Sequence, residues 1–146
     1  MTLARHPHWA TQPLHDFLLE RAEAPFAWGV NDCALFAADA VLAMTGVDIA
    51  AEFREKYSTE AEAFALIRDL TGGETVADAA AWCAERHGLA EWEFPLMAQR
   101  GDLAVIENDG RLIAGIVHLS GRHVVTVAES GLVRFDISEV KRAWHV

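Results

Sequence analysis

The chain has 146 residues, 52% of them apolar, with 22 acidic against 12 basic side chains and a formal net charge of −10. That size suits one domain with a proper core. The acidity argues against a nucleic-acid surface, which needs clustered Lys and Arg, and no apolar run reaches the roughly 18 residues of a membrane span.

Residues 1–12 read as an irregular arm containing His6, Pro7, His8 and Trp9, with Trp9 as its anchor. The start holds no apolar h-region, so the expectation is a chain made in the cytoplasm with Cys33 and Cys83 reduced. Leu14, Phe17, Leu18 and Arg21 predict a short amphipathic helix from Pro13 to Ala24, with Pro13 near its first position and Pro25 as its stop. The loop Phe26-Ala27-Trp28-Gly29 follows. The run from Ala34 to Met44 has one charge, Asp39, and predicts a central helix that is apolar nearly all round and therefore buried. Asn31 or Asp32 caps its start, and Gly46 closes it.

Val47 to Lys56 suggests a short helix with Ile49 and Phe53 on one face. Ser58 or Thr59 caps the next helix, whose apolar face is Ala63, Phe64, Ile67 and Leu70. After the break at Thr71-Gly72-Gly73, another helix starts at Thr75, with Val76, Ala79, Ala80 and Cys83 inward and His87 as a further candidate for that face, and Gly88 closes it. From Gly101 the pattern changes to strands: 101–106, 112–119, 123–128 and 132–135. Turns fall at Asn108-Asp109-Gly110, Ser120-Gly121 and Glu129-Ser130-Gly131. A short helical turn over 137–142 and a last strand at 144–146 complete the chain. Helices first and strands after imply a single α+β domain over residues 1–146. In it a buried central helix and its neighbours pack on a C-terminal antiparallel meander.

Chemically, Cys33 is the candidate nucleophile. It lies in the first turn of the central helix, where the helix end favours a thiolate. Asp32 beside it opposes that ionisation, and free cysteine also packs well as a small core residue. Cys83 belongs to the inner face of its helix. Trp28, Gly29 and Asp32 are candidate cleft-lining residues, or else a buried indole and a tight turn against the helix start. Asp102 reads as a turn cap or a catalytic acid. Glu52, Glu55, Glu60 and Glu62 read as a solvated face. There is no His-x-x-x-His and no Cys-x-x-Cys, so no metal or other cofactor is expected.

The chain resembles the NlpC-type, papain-like cell-wall cysteine peptidases. The resemblance rests on Asp32-Cys33 opening the buried helix, Arg100-Gly101-Asp102-Leu103 opening the first long strand, and Gly115-Ile116 on the next. It is closer to a small NlpC-like family of prophages and tailed phages. The matching pieces are Phe26-x-Trp28-Gly29-x-x-Asp32-Cys33, Ala37-Ala38-Asp39, Thr45-Gly46-x-Asp48, Tyr57-x-Thr59-Glu60, Gln99-Arg100-Gly101-Asp102, Gly131-Leu132-Val133 and Ala143-Trp144-x-Val146. The resemblance implies a papain-like fold in which a thiolate attacks an amide carbonyl and a histidine near position 113 serves as base and acid. This sequence has Ile113 there. His118 lies five residues on, roughly 16 Å away along a strand and on the opposite face. His123 falls at the far end of the hairpin and His87 at a helix end. His6, His8 and His15 would have to fold over the helix start, and His145 would have to come back over the sheet.

Two expectations follow. In the first, the protein is a structural or assembly component of a phage or prophage tail, near the tail tip. It carries a degenerate catalytic site, contacts other tail proteins with peptidoglycan as a further candidate partner, is made in the bacterial cytoplasm and resides in the virion. In the alternative it is an active cysteine peptidase or amidase that opens peptidoglycan during DNA injection.

Overall fold

The computed structural model describes residues 3–146; positions 1 and 2 of the predicted arm lie outside the described residues. Four α-helices come first: α1 (Pro13–Arg21), α2 (Cys33–Thr45), α3 (Glu60–Thr71) and α4 (Val76–Arg86). Six strands follow: β1 (Ala90–Glu91), β2 (Leu103–Asn108), β3 (Arg111–Val117), β4 (His123–Ala128), β5 (Gly131–Asp136) and β6 (Val140–His145). The fold is α+β, with one antiparallel sheet in the order β1-β6-β2-β3-β4-β5.

Side chains set the helix starts. Of the two candidate caps for α2, Asp32 does the work, accepting the Leu35 N–H. Gly46, at φ 78°, ends the helix. Thr59 caps α3 through the Glu62 N–H, while the Glu62 carboxylate turns back to the N–H and hydroxyl of Ser58. This is a capping box displaced by one residue. Thr75 and Asp78 make a complete box at α4.

Three expectations need correction. The first helix ends at Arg21 rather than Ala24, because the Ala22 carbonyl accepts from the Leu132 N–H of β5. Residues 47–56 form turns and no helix. Asp48 accepts the Ala50 N–H and holds Arg54 by two hydrogen bonds, and the Glu55 N–H goes to the Gly29 carbonyl. These bonds replace the i→i−4 ladder. Only β2 to β5 form the expected meander. The helical turn expected over 137–142 is a 3-10 turn confined to Ile137–Glu139; β6 begins at Val140 and crosses to the other side of β2. It lies between β2 and the two-residue β1, where Arg142 forks onto Glu91.

α2 lies between α1 and the sheet, and eight of its side chains are buried. Leu14, Phe17, Phe36, Val41 and Met44 pack with Val105, Ile116 and Val125 in the main core. Each such side chain, fully buried, stabilises by about 1.5–3 kcal/mol. A smaller cluster on the opposite face of the sheet joins Ile106, Val117, Val124 and Val140 to Trp92 and Phe135.

The chain ends are gathered by Asp102, fully buried before β2. Its carboxylate accepts from Gln99 N–H (2.9 Å), Trp92 Nε1 (2.8 Å), Val146 N–H (3.1 Å) and Arg5 Nη2 (3.1 Å). Arg5 also donates to the Val146 carbonyl and lies over Trp9, the arm's anchor. Asp102 is therefore a turn cap and ion-pair partner, outside the Cys33 cleft. Asp102→Ala leaves a guanidinium and three N–H donors without their acceptor. It is expected to lower unfolding stability by about 3–5 kcal/mol, read as a shifted denaturant midpoint at unchanged slope.

Candidate functional site

The site grows from the turn before α2. Ala27 and Asn31 pair as an isolated bridge, closing the loop that carries Trp28 and Gly29. Gly29 sits at φ 79°, and a Cβ there would overlap the Tyr57 carbonyl, so only glycine lets the two loops touch. Asp32, 2% exposed, joins them. One carboxylate oxygen accepts the Leu35 N–H (2.9 Å). The other accepts the Gly29 N–H (3.0 Å) and the Tyr57 hydroxyl (2.5 Å). Behind this turn, Asp39 accepts from Arg21 (2.8 Å) and Arg54 (2.6 Å). Arg21 also reaches Asn31, and Arg54 also reaches Asp48, so both loops are tied to the middle of α2. The bonds to Arg54 hold the Asp48 carboxyl below its ordinary range.

These loops wall a cleft of about 270 Å³. Trp28, Phe26 and Phe53 line one side and Phe64 and Ile67 of α3 another, with Leu112 and Val127 from the sheet. Phe26 and Trp28 meet edge to face at 4.7 Å. Arg111 and Asn108, which flank the β2–β3 turn, also border the cleft. An ion pair between Arg111 and Glu60 (2.6 Å) joins that turn to the start of α3.

Cys33 opens onto this cleft and is partly exposed. Its thiol is pushed up to about 11. Burial of the sulfur is the main cause, and the Asp32 charge adds to it; the N–H groups of Ala114, Ala34 and Cys33 itself pull the other way. The helix end thus contributes, but desolvation outweighs it. The protonated thiol is therefore the favoured form at neutral pH. Burial, with the nearby Asp32, also raises the Tyr57 hydroxyl well above its ordinary value. Cys83 is buried in the core and similarly pushed up to about 12.

Among the described residues no histidine lines the cleft. Ile113, where the resemblance implies one, borders it and also packs against the cluster on the far face of the sheet. His6 donates its N–H to the Met44 carbonyl, at the opposite end of α2. Eleven residues of helix separate the two positions, roughly 16 Å. His8 lies beside His6, and His15 is exposed next to Asp16 on α1. His87 caps the end of α4, and His145 stacks on Trp92 at 5.4 Å. His118, just past β3, meets His123 at the start of β4 edge to face at 6.5 Å. None has folded back over the helix start. Among the described residues no group of three or more His, Cys, Asp or Glu is arranged to hold a metal ion.

The site brings together the four sequence-predicted residues Trp28, Gly29, Asp32 and Cys33. It adds Tyr57, Arg54 and Arg21, which local periodicity does not mark. Tyr57 stood only within the matching piece Tyr57-x-Thr59-Glu60. Glu52, read as solvated, instead pairs with Arg86 (3.0 Å), although Glu55, Glu60 and Glu62 are exposed.

Residues 4–146 match the model of a domain of unknown function, DUF6950. No curated protein and no solved structure matches the chain. No helix among the described residues is long and apolar enough to cross a membrane.

Tyr57→Phe removes one donor from Asp32 and is expected to cost about 1–2 kcal/mol of unfolding stability. Asp32→Ala removes the cap and the link between loops, and is expected to cost about 2–4 kcal/mol. In the double variant the Tyr57 change should cost nothing further, so the two losses combine well below their sum.

Proposed function

The chain belongs to the DUF6950 family, and we propose that it is a binding and assembly protein of a phage or prophage tail, near the tail tip. It has an NlpC-like, papain-like fold and a cleft that docks a neighbouring chain without hydrolysing it. The observation that carries this reading is the histidine-free cleft around a thiol that burial keeps protonated. Amide hydrolysis by a cysteine needs a base to take the thiol proton and an acid to deliver one to the leaving amine. The polar groups nearest Cys33 are poor candidates. Asp32 already accepts three hydrogen bonds, and Tyr57 donates to Asp32. A preformed apolar cleft with a few polar groups suits a bound side chain or short segment. The tail assignment rests on the resemblance of the motifs between residues 26 and 146 to an NlpC-like family of prophages and tailed phages. On this reading the chain is made in the bacterial cytoplasm and stays in the virion, against other tail proteins.

One observation favours the alternative of an active peptidoglycan peptidase or amidase: Cys33 is not sealed off but opens onto the cleft. Three measurements separate the readings. Peptidoglycan and purified muropeptides incubated with the wild type and with Cys33→Ala should release equal, background amounts of product. Mass spectrometry of purified particles should find the chain. Trp28→Ala should lower its incorporation several-fold while Cys33→Ala leaves it unchanged. Cys33-dependent cleavage would establish the peptidase instead, and absence from particles would remove the virion assignment.

A further inference from the structure

Three large apolar side chains within four residues stand exposed: Phe94 (65%), Leu96 (62%) and Met97 (60%). They belong to a 3-10 turn, Pro95–Met97, and the residue before it, between β1 and β2. The turn is held on both sides. Trp92 donates its N–H to the Ala143 carbonyl and its Nε1 to Asp102, and the Gln99 N–H also goes to Asp102. Trp92 and Ala98 pack in the small cluster on the far face of the sheet. The three side chains thus form a fixed apolar knob that the fold itself does not bury, the mark of an interaction surface.

The Cys33 cleft is a matching receptor elsewhere on the molecule. An apolar cavity of roughly 150 Å³ takes a benzene molecule, so this aromatic-lined cleft of about 270 Å³ has room for a phenyl ring. The knob precedes the start of β2, and the cleft lies at its end, beside Asn108 and Arg111. The length of that strand, roughly 17 Å, separates them. They also lie on opposite faces of the sheet: Leu112 and Val127 of the cleft pack in the main core on the helix side. A chain therefore cannot seat its own knob in its own cleft, whereas two copies can join. Charge agrees with this. Glu93, beside Phe94, is exposed and makes no side-chain hydrogen bond or ion pair among the described residues. Its neighbour Glu91 is taken by Arg142, and Arg100 lies over Trp9. Arg111 at the cleft mouth is 59% exposed and uses only Nη2 on Glu60, which leaves the rest of its guanidinium fork for a second carboxylate.

We propose that the Cys33 cleft of one copy of this chain receives the Phe94–Met97 knob of the next, with Phe94 inside the cleft and Glu93 on Arg111. The contact joins two different patches, so it is heterologous: each copy offers one knob and one cleft, and the assembly grows head to tail until it closes as a ring or continues as a filament. Filling the cleft buries apolar surface on both partners at once. The proposal rests on the cleft being a docking site rather than a peptidase site, and it names the occupant.

The test is sedimentation velocity of the full chain from micromolar to millimolar concentration, at about 0.15 M salt, where charges more than about 8 Å apart are largely screened. The wild type should associate with rising concentration. Phe94→Glu, an exposed change that keeps the cleft, should be monomeric. Leu112→Glu, which keeps the knob and puts a charge in the cleft, should also be monomeric; circular dichroism checks its folding, and Trp28→Ala replaces it if it does not fold. Mixed in equal amounts, the knob variant and the cleft variant should form a one-to-one dimer and nothing larger, because only one intact knob and one intact cleft remain. Glu93→Lys should weaken wild-type association several-fold. The proposal is overturned if the mixture stays monomeric, or if the cleft variant still associates like the wild type, as a knob-to-knob dimer would. A wild type that stays monomeric at millimolar concentration overturns it too, and assigns the cleft to a different protein. The docking role itself fails on a separate result, Cys33-dependent cleavage of muropeptides.

Discussion

Asp32 is a helix cap that has acquired two further bonds. Capping α2 uses one oxygen; the other holds the Gly29 N–H and the Tyr57 hydroxyl. One buried carboxylate thereby fixes the start of the central helix and the two loops that wall the cleft. Arg21 and Arg54 repeat the connection one layer deeper, through Asp39. Trp28, Cys33 and Tyr57 of the cleft sit on the elements that this frame joins.

The same frame sets the chemistry. A carboxylate beside Cys33 opposes a thiolate, and packing the sulfur against β3 takes it out of water. An active thiol protease needs the opposite, a positive neighbour that stabilises the ionised sulfur. The arrangement that makes the cleft rigid thus leaves its cysteine protonated. A rigid, apolar, preformed cleft is what a docking site requires, because little ordering remains to oppose binding.

Much of this was legible in the chain. Local chemistry narrowed the caps of α2 and α3 to Asn31 or Asp32 and to Ser58 or Thr59, placed the start of α4 at Thr75, and marked the glycine stops at Gly46 and Gly72. It also marked the turns of β2 to β5, because each hairpin carries its own signal. What escaped was non-local. The Val47–Lys56 segment has helical spacing, but Asp48 and Arg54 draw its backbone into turns through contacts that periodicity does not record. β1 is too short to leave a pattern, and β6 has a partner that adjacency in the chain would not choose. Asp102 was recognisable as a turn cap, but not as the meeting point of residues 5 and 146. At the site, the missing histidine was visible as Ile113. Tyr57 was not, because its role arises only when two loops 25 residues apart are brought together.

The central claim is that Asp32 organises a cleft whose cysteine is held protonated. Its most direct test is the titration of Cys33 by thiolate ultraviolet absorbance in a Cys83→Ala background. The account predicts a midpoint near 11, which falls when Asp32→Asn removes the neighbouring charge. A midpoint at or below the ordinary thiol value of about 8.5 would contradict it and return Cys33 to the role of nucleophile.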